Sequence, residues 1–367
     1  MSDAARTTTG MLSFAMRSLN EWMRRATWVD AFMIALRIAL LALVAWGIGG
    51  SLLHENYTFT QVVSFAVFGL SIGGIYALIA LGYSMVYGIL RMVNFAHGDI
   101  FMLGAFAAYT AADVALKNGG IWLAAPVAII VPVAVSCAVA ICVERIAYRP
   151  FRHVRSLAPL ICGIGISFIL QYTVRGAFGT RGRAFPDLAA FSGNVELMDG
   201  ISIPKVQIAV FVAAVFVMAI LYAIVMWTSL GKAIRAVAED RDAATLMGVD
   251  VDRIITVTFA LGGAIAGIAG LLYALVFKQI FFFMGLTLGV KGFCAAVIGG
   301  IGNIPGAMVG GLLLGLIEAL GPLFLLDGFD VASPYQLRDV IAYSLLLVVL
   351  VFRPRGLFGE RFAVKRA

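Results

Sequence analysis

The chain has 367 residues, of which 62% are hydrophobic and only 13% charged, with a mean hydropathy of +1.00. Ordinary soluble domains are about 25% charged, so this composition excludes a soluble fold. It equally excludes a disordered chain, which needs low hydrophobicity and high charge. The formal net charge of +7 leaves a basic nucleic-acid binder to be tested, and the distribution of the basic residues tests it below.

The predicted elements are transmembrane helices. The stretches Gln61–Leu90, Asn118–Val143, Val206–Gly231, Ile254–Phe277 and Gly292–Ile317 carry almost no charge, and about 20 apolar residues suffice to cross the hydrocarbon. None alternates with period two, so a barrel is rejected. The 40 glycines suit helices packed backbone to backbone in lipid. In chain order, residues 1–30 are polar and basic. Met11, Leu12, Ala15, Met16, Leu19, Trp22 and Met23 recur there at helical spacing. Two readings are open for this segment, an interfacial helix anchored by Trp22 and Trp28 or a solvated tail. It does not read as a signal peptide. Spans are then expected near 31–53, 61–90, 98–116, 121–143, 157–175, 206–228, 254–277, 287–302, 305–325 and 337–352, ten in all. Ile100–Ala112 is short enough to be a half-helix. Arg37 sits two turns into the first span, placed to snorkel.

With the N-terminus inside, eighteen of the 27 basic residues fall on the inner side and seven on the outer. That asymmetry predicts both termini in the cytoplasm, and it disposes of the nucleic-acid reading, because the charges follow topology and form no patch. The expected fold is an all-α polytopic membrane protein of about ten segments, some broken or half-length. Its divisions are an N-terminal extension with an extra span (1–58), the main membrane domain (59–360) and a short tail (361–367). Cys137, Cys142, Cys162 and Cys294 lie in apolar runs and read as small buried hydrophobes.

Four stretches carry possible chemistry. In Gly69–Asp99, Gly73 and Gly74 are expected to weaken the helix, with Ser71 and Tyr76 beside them. Asn94, His97 and Asp99 cluster between two apolar segments. One reading makes them a substrate path along a discontinuous helix; the other makes them a turn, with Asn94 capping and Asp99 favouring the positive helix end. In Gly299–Gly306 the Gly-Lys-Ser/Thr ending of a phosphate loop is missing, so it reads as a hinge. Glu318 follows within a span and must face protein or water, as a pathway group or as the partner of an internal donor. The loop Thr228–Arg253 is the most polar part of the chain, and within it Glu239, Asp240, Arg241, Asp242, Ala243, Ala244 and Gly248 form a short helix with an exit turn. The loop Gly176–Pro204, on the opposite side, carries Arg181, Arg183 and Asp187. No metal-ligand or nucleophile–base set is visible, and no energy source.

Together with the ending Arg353-Pro-Arg-Gly-Leu-Phe-Gly359, these stretches resemble LivH-type permeases, subunits of the bacterial ABC importer for branched-chain amino acids. The resemblance runs from about Phe59 to Glu360. It implies transport of leucine, isoleucine and valine across the inner membrane by a multi-pass permease that is not itself an enzyme. It implies a LivM-type second permease, two cytoplasmic ATPase subunits that hold ATP and magnesium, and a periplasmic binding protein. It implies that Asp242-Ala243-Ala244 and Gly248 couple to the ATPase. Contact of Arg181, Arg183 and Asp187 with the binding protein is a further expectation. Permeases for urea, short amides or a broader amino-acid range share the pattern. An ion-coupled transporter is the alternative from another class; it would give the Asp242–Gly248 loop no role.

Overall fold

A charge-poor chain in lipid must satisfy every backbone N–H and C=O internally, which leaves the helix as the default. The computed structural model describes residues 28–54, 58–151, 158–187, 192–198, 201–326, 329, 331 and 334–359. The expectations for residues 1–27 and for the tail 361–367 lie outside these. The helices are α1 (Trp28–His54), α2 (Phe59–Leu90), α3 (His97–Val143), α4 (Ala158–Phe178), α5 (Lys205–Trp227), α6 (Ser229–Glu239), α7 (Arg241–Leu246), α8 (Val251–Phe277), α9 (Met284–Gly299), α10 (Ile304–Gly321) and α11 (Arg338–Phe352). Two small antiparallel pairs join β1 (Arg183–Ala184) to β4 (Gln279–Ile280) and β2 (Asn194–Met198) to β3 (Ile201–Pro204).

Among the described residues nine stretches are long and apolar enough to cross a membrane, against ten expected. The exception is the span expected at 287–302. There α9 has 16 residues, short of the ~20 needed. The chain reaches it through the two-residue strand Gln279–Ile280 and a turn at residues 281–283, so strand, turn and short helix together make the passage.

Although helical throughout, α3 is a hairpin of two spans, His97–Lys117 and Ala125–Phe151. The Ser136 hydroxyl donates to the Ile100 carbonyl at 3.2 Å. In a straight helix those residues would stand roughly 54 Å apart at 1.5 Å per residue. Both arms pack on α8, the outgoing arm around Gly270 and the returning arm around Gly263 and Gly267. The helix α2 instead packs on α10. Gly73 and Gly315 meet there with no room for a side chain on either, the close approach that small residues permit in membranes.

Facing contacts order the ends of the layer. Phe68 near the start of α2 meets Phe277 at the end of α8, and Gly82 lies against Gly262, so α2 and α8 are antiparallel. At the Leu90 end, the turn Gly299–Asn303 binds the C-terminal segment. Leu357 and Phe358 N–H donate to Ile298 and Gly299 carbonyls, and Asn303 Nδ2 donates to the Phe358 carbonyl at 2.9 Å. Gly300 and Gly302 have φ of 107° and 91°, which only glycine adopts cheaply. The expected hinge is therefore a turn clamped by the Arg353–Gly359 motif. At this end too, Arg37 of α1 donates to the Val351 carbonyl and lies over the Phe352 ring, so the first and last helices begin and finish on the same side.

The extra helix α1 is attached by few contacts. Ser51 donates to the Leu323 carbonyl at 2.7 Å, inside the π-helical turn Pro322–Leu326. Of the four cysteines, all free, only Cys294 is buried and Cys142 is exposed. The expectation of four buried thiols is corrected: the returning arm of α3 turns Cys142 outward, where lipid can cover it.

Candidate functional site

The local signal begins with Arg91, which ends α2 in the left-handed region at φ 56°. The chain reverses, and Asn94 Oδ1 holds the turn by accepting from the Ala96 N–H and from the Tyr148 hydroxyl, both at 3.0 Å. His97 then starts α3 with its ring 4.9 Å from that of Tyr83 and pressed onto Gly82. Gly82 stands eight residues before the end of α2, roughly 12 Å along its axis. Residues 91–96 therefore climb back into the layer, and α3 begins at mid-depth. Asp99, fully buried in its first turn, accepts from the Ser167 hydroxyl of α4, which in turn accepts from Gln171 Nε2 at 3.1 Å.

A second segment repeats this from the opposite end. Lys278 ends α8 at φ 53°. Arg91 and Lys278 are the two described non-glycine residues with positive φ. Gly98 follows Arg91 by seven positions, and Gly285 follows Lys278 by seven. Gly98 packs directly on the backbone of Gly285 and Gly289, so α3 and α9 start nose to nose. Neither start has a side-chain cap.

The remaining expected residues fall in four other places. The helix α2 runs unbroken through Gly73 and Gly74, which corrects the expected discontinuity there. Gly73 serves the α10 contact and Gly74 touches Ala214 of α5. Ser71 donates to the carbonyls of Val67 and Gln207, each at 2.8 Å. With no water to compete for backbone groups, packing overrides the weak helix propensity of glycine. The break occurs at residues 91–96 instead.

Tyr76 and Glu318 belong to a buried ionic cluster. Lys291 Nζ lies 2.8 Å from Glu318 Oε1, 2.7 Å from Asp339 Oδ1 and 3.4 Å from the Tyr76 hydroxyl. Arg338 approaches Glu318 at 3.8 Å. The donor left open for Glu318 is thus Lys291. Sequence reasoning missed the pair, and Asp339 with it. The signal was present: Lys291 is the one charge between Gln279 and Ile317, and an isolated intramembrane cation needs an anion nearby.

At the Leu90 end, α6 and α7 form a hairpin-like loop. Asp240 caps α7 by accepting from the Asp242 and Ala243 N–H groups, and Gly248 leaves it at φ 83°. Arg241 donates to the Ile89 carbonyl at 2.5 Å, and Arg91 donates to the Ala238 carbonyl at 3.2 Å. The loop is thereby tied to the foot of α2. Glu239, Asp240, Asp242 and Ala243 are exposed, whereas Ala244 faces inward. Ala244 therefore supplies packing within this chain, and the outward surface is Leu246 and Met247, 88% and 84% exposed. At the other end, Arg183 donates to the Phe178 carbonyl and pairs with Ile280. Asp187 pairs with Lys278, and Arg181 is exposed.

A family model described as the permease component of the branched-chain amino acid transport system matches residues 65–350. The chain belongs to this family. The permease is 41% identical over 310 residues to the high-affinity branched-chain amino acid transport system permease protein BraD of Pseudomonas aeruginosa, covering 83% of this chain and 97% of BraD. It is 38% identical over 299 residues to LivH of Escherichia coli K12, covering 80% of this chain and 94% of LivH. A weaker likeness, 26% over 203 residues, reaches LivM of Methanocaldococcus jannaschii, covering 53% of this chain and 57% of LivM. The permease is a multi-pass membrane protein, and α1 lies outside the matched region.

Proposed function

We propose that the permease carries leucine, isoleucine and valine into the cell across a bacterial inner membrane, beside a LivM-type second permease. Two ATPase subunits with ATP and magnesium drive it at the Leu90 end, and a periplasmic binding protein delivers substrate at the other. The observation that carries this reading is likeness to BraD and LivH across nearly their whole length. The Leu90 end is the cytoplasmic one, because the basic residues concentrate there. The polar groups at mid-depth and the exposed Leu246–Met247 tip supply a path and a docking point. Purified complex in liposomes, given binding protein and internal ATP, is expected to accumulate leucine, isoleucine and valine. Uptake of urea or an amide in their place would replace this substrate assignment.

The orientation has its own test. Reporter fusions after Gly359 and at Gly193 should report opposite sides, with the Gly359 fusion inside. Both on one side would overturn the odd number of crossings expected between them.

A further inference from the structure

Among the described residues six buried side-chain polar atoms lack a hydrogen-bond partner, and three of them, Asn94 Nδ2, His97 Nε2 and Asp99 Oδ1, belong to the re-entrant segment. A buried acceptor left unmade is costly, and such atoms concentrate where a structure has something else to bind. Asp99 Oδ1 is the most directed of the three. It lies where a Cβ on Gly285 would sit, against the first turn of the 16-residue helix α9. A carboxylate at a helix start ordinarily accepts amide N–H groups as a cap. Here it accepts none, and no side chain caps α9. A free anionic oxygen and an uncapped, positive helix end therefore stand in direct contact at mid-depth.

That juxtaposition has the shape of an α-amino acid's own head group. In the zwitterion the ammonium nitrogen and the carboxylate carbon are joined through one carbon. A receptor for both must place an anion and a set of N–H donors within one residue of each other. We propose that Asp99 receives the α-ammonium group of the transported amino acid, and that the first amides of α9, at Gly285 and Leu286, receive its α-carboxylate. This deepens the importer reading and rests on it.

The structure also assigns what holds the site between transport events. Ser167 donates to the other oxygen of Asp99, and Gln171 supports Ser167. Both belong to the narrow buried stripe of α4, Pro159, Gly163, Ser167, Gln171 and Val174. The opposite face of α4 carries exposed Ile161, Phe168, Ile169 and Tyr172, so no described element of this chain covers it. The helix can be displaced without breaking a second packed layer, and its displacement uncovers Asp99.

The test uses the assembled transporter in lipid nanodiscs, with the four native cysteines replaced. Ser167→Cys and, separately, Gln171→Cys are labelled with a small thiol reagent. Three ligands are compared: leucine, 3-methylbutylamine, which lacks the carboxylate, and 4-methylpentanoate, which lacks the ammonium. Leucine and the amine are expected to slow labelling and the acid to leave it unchanged. Adding Asp99→Asn should weaken protection by leucine about tenfold, the scale of a lost charged hydrogen bond. Protection by leucine that survives Asp99→Asn, or protection by the acid but not the amine, overturns the assignment and leaves the importer reading standing. Failure of the unmodified complex to take up leucine overturns both.

Discussion

Replacing Leu246 and Met247 together by aspartate is expected to leave the permease in the membrane but without its ATPase subunits. Both side chains stand almost fully exposed on a polar loop, at the tip of a short helix that Asp240 caps and Gly248 ends. Among the described residues, nothing covers these two large apolar groups. Apolar anchors at the centre of an interface are each worth about 2 kcal/mol or more, so copurification and leucine uptake should fall by well over tenfold. Affinity pulldown of tagged permease, with a thermal unfolding control, reads the outcome. Ala244→Trp provides the contrast. It drives a ring into the permease's own interior, so it should lower stability and lose the ATPase only as a consequence. Normal assembly of the double aspartate variant would reduce the loop to a connector.

Lys291→Met is expected to have the largest effect on stability. Lys291 and Glu318 are 3% and 4% exposed, and the lysine holds both Glu318 and Asp339. Removing it strands a buried acid, a loss of about 3–5 kcal/mol when one partner of a buried pair is deleted. The double variant Lys291→Met with Glu318→Gln removes the stranded charge and should recover much of that loss. Melting of the purified permease in detergent measures all three proteins. An unshifted midpoint for Lys291→Met would show that the cluster does not hold α9, α10 and α11 together. If the double variant is stable but fails to transport, the cluster also serves the substrate path.

The spans were legible because lipid imposes long runs without charge, and such runs need no tertiary knowledge to see. The family motifs were legible for a related reason: glycine and polar residues stand out against an apolar background. Depth was not legible. Asn94–Asp99 reads as a surface turn because six residues between helices usually make one. Only the contact of His97 with Gly82 reveals that it returns to mid-layer. Asn94 holds the local backbone by accepting from Ala96 but does not cap α3 as the turn reading expects, because that helix start has no side-chain cap, and the turn reading leaves the burial of Asp99 unexplained. Pairing across the chain was hidden likewise. Lys291 and Glu318 are separated by half of α9, a turn and most of α10, and nothing local couples them. The side of α7 that faces outward was lost because six residues are too few to fix a helical face by periodicity, so Ala244 could not be told from Ala243.

The two re-entrant segments carry a consequence for how such a molecule changes state. Each leaves a long helix through a left-handed residue and turns six residues later into a helix start, one entering from each surface, and they touch at Gly98 and Gly285. Elements of that kind are interchanged by a half-turn about an axis lying in the plane of the membrane. A chain built this way contains its own mirror of access. Tightening of one segment while its counterpart loosens would favour access from one side, and the exchange of those roles would favour the other. On the proposed function, energy delivered at the exposed Leu246 and Met247 would reach these segments through the foot of α2, to which Arg241 ties the loop.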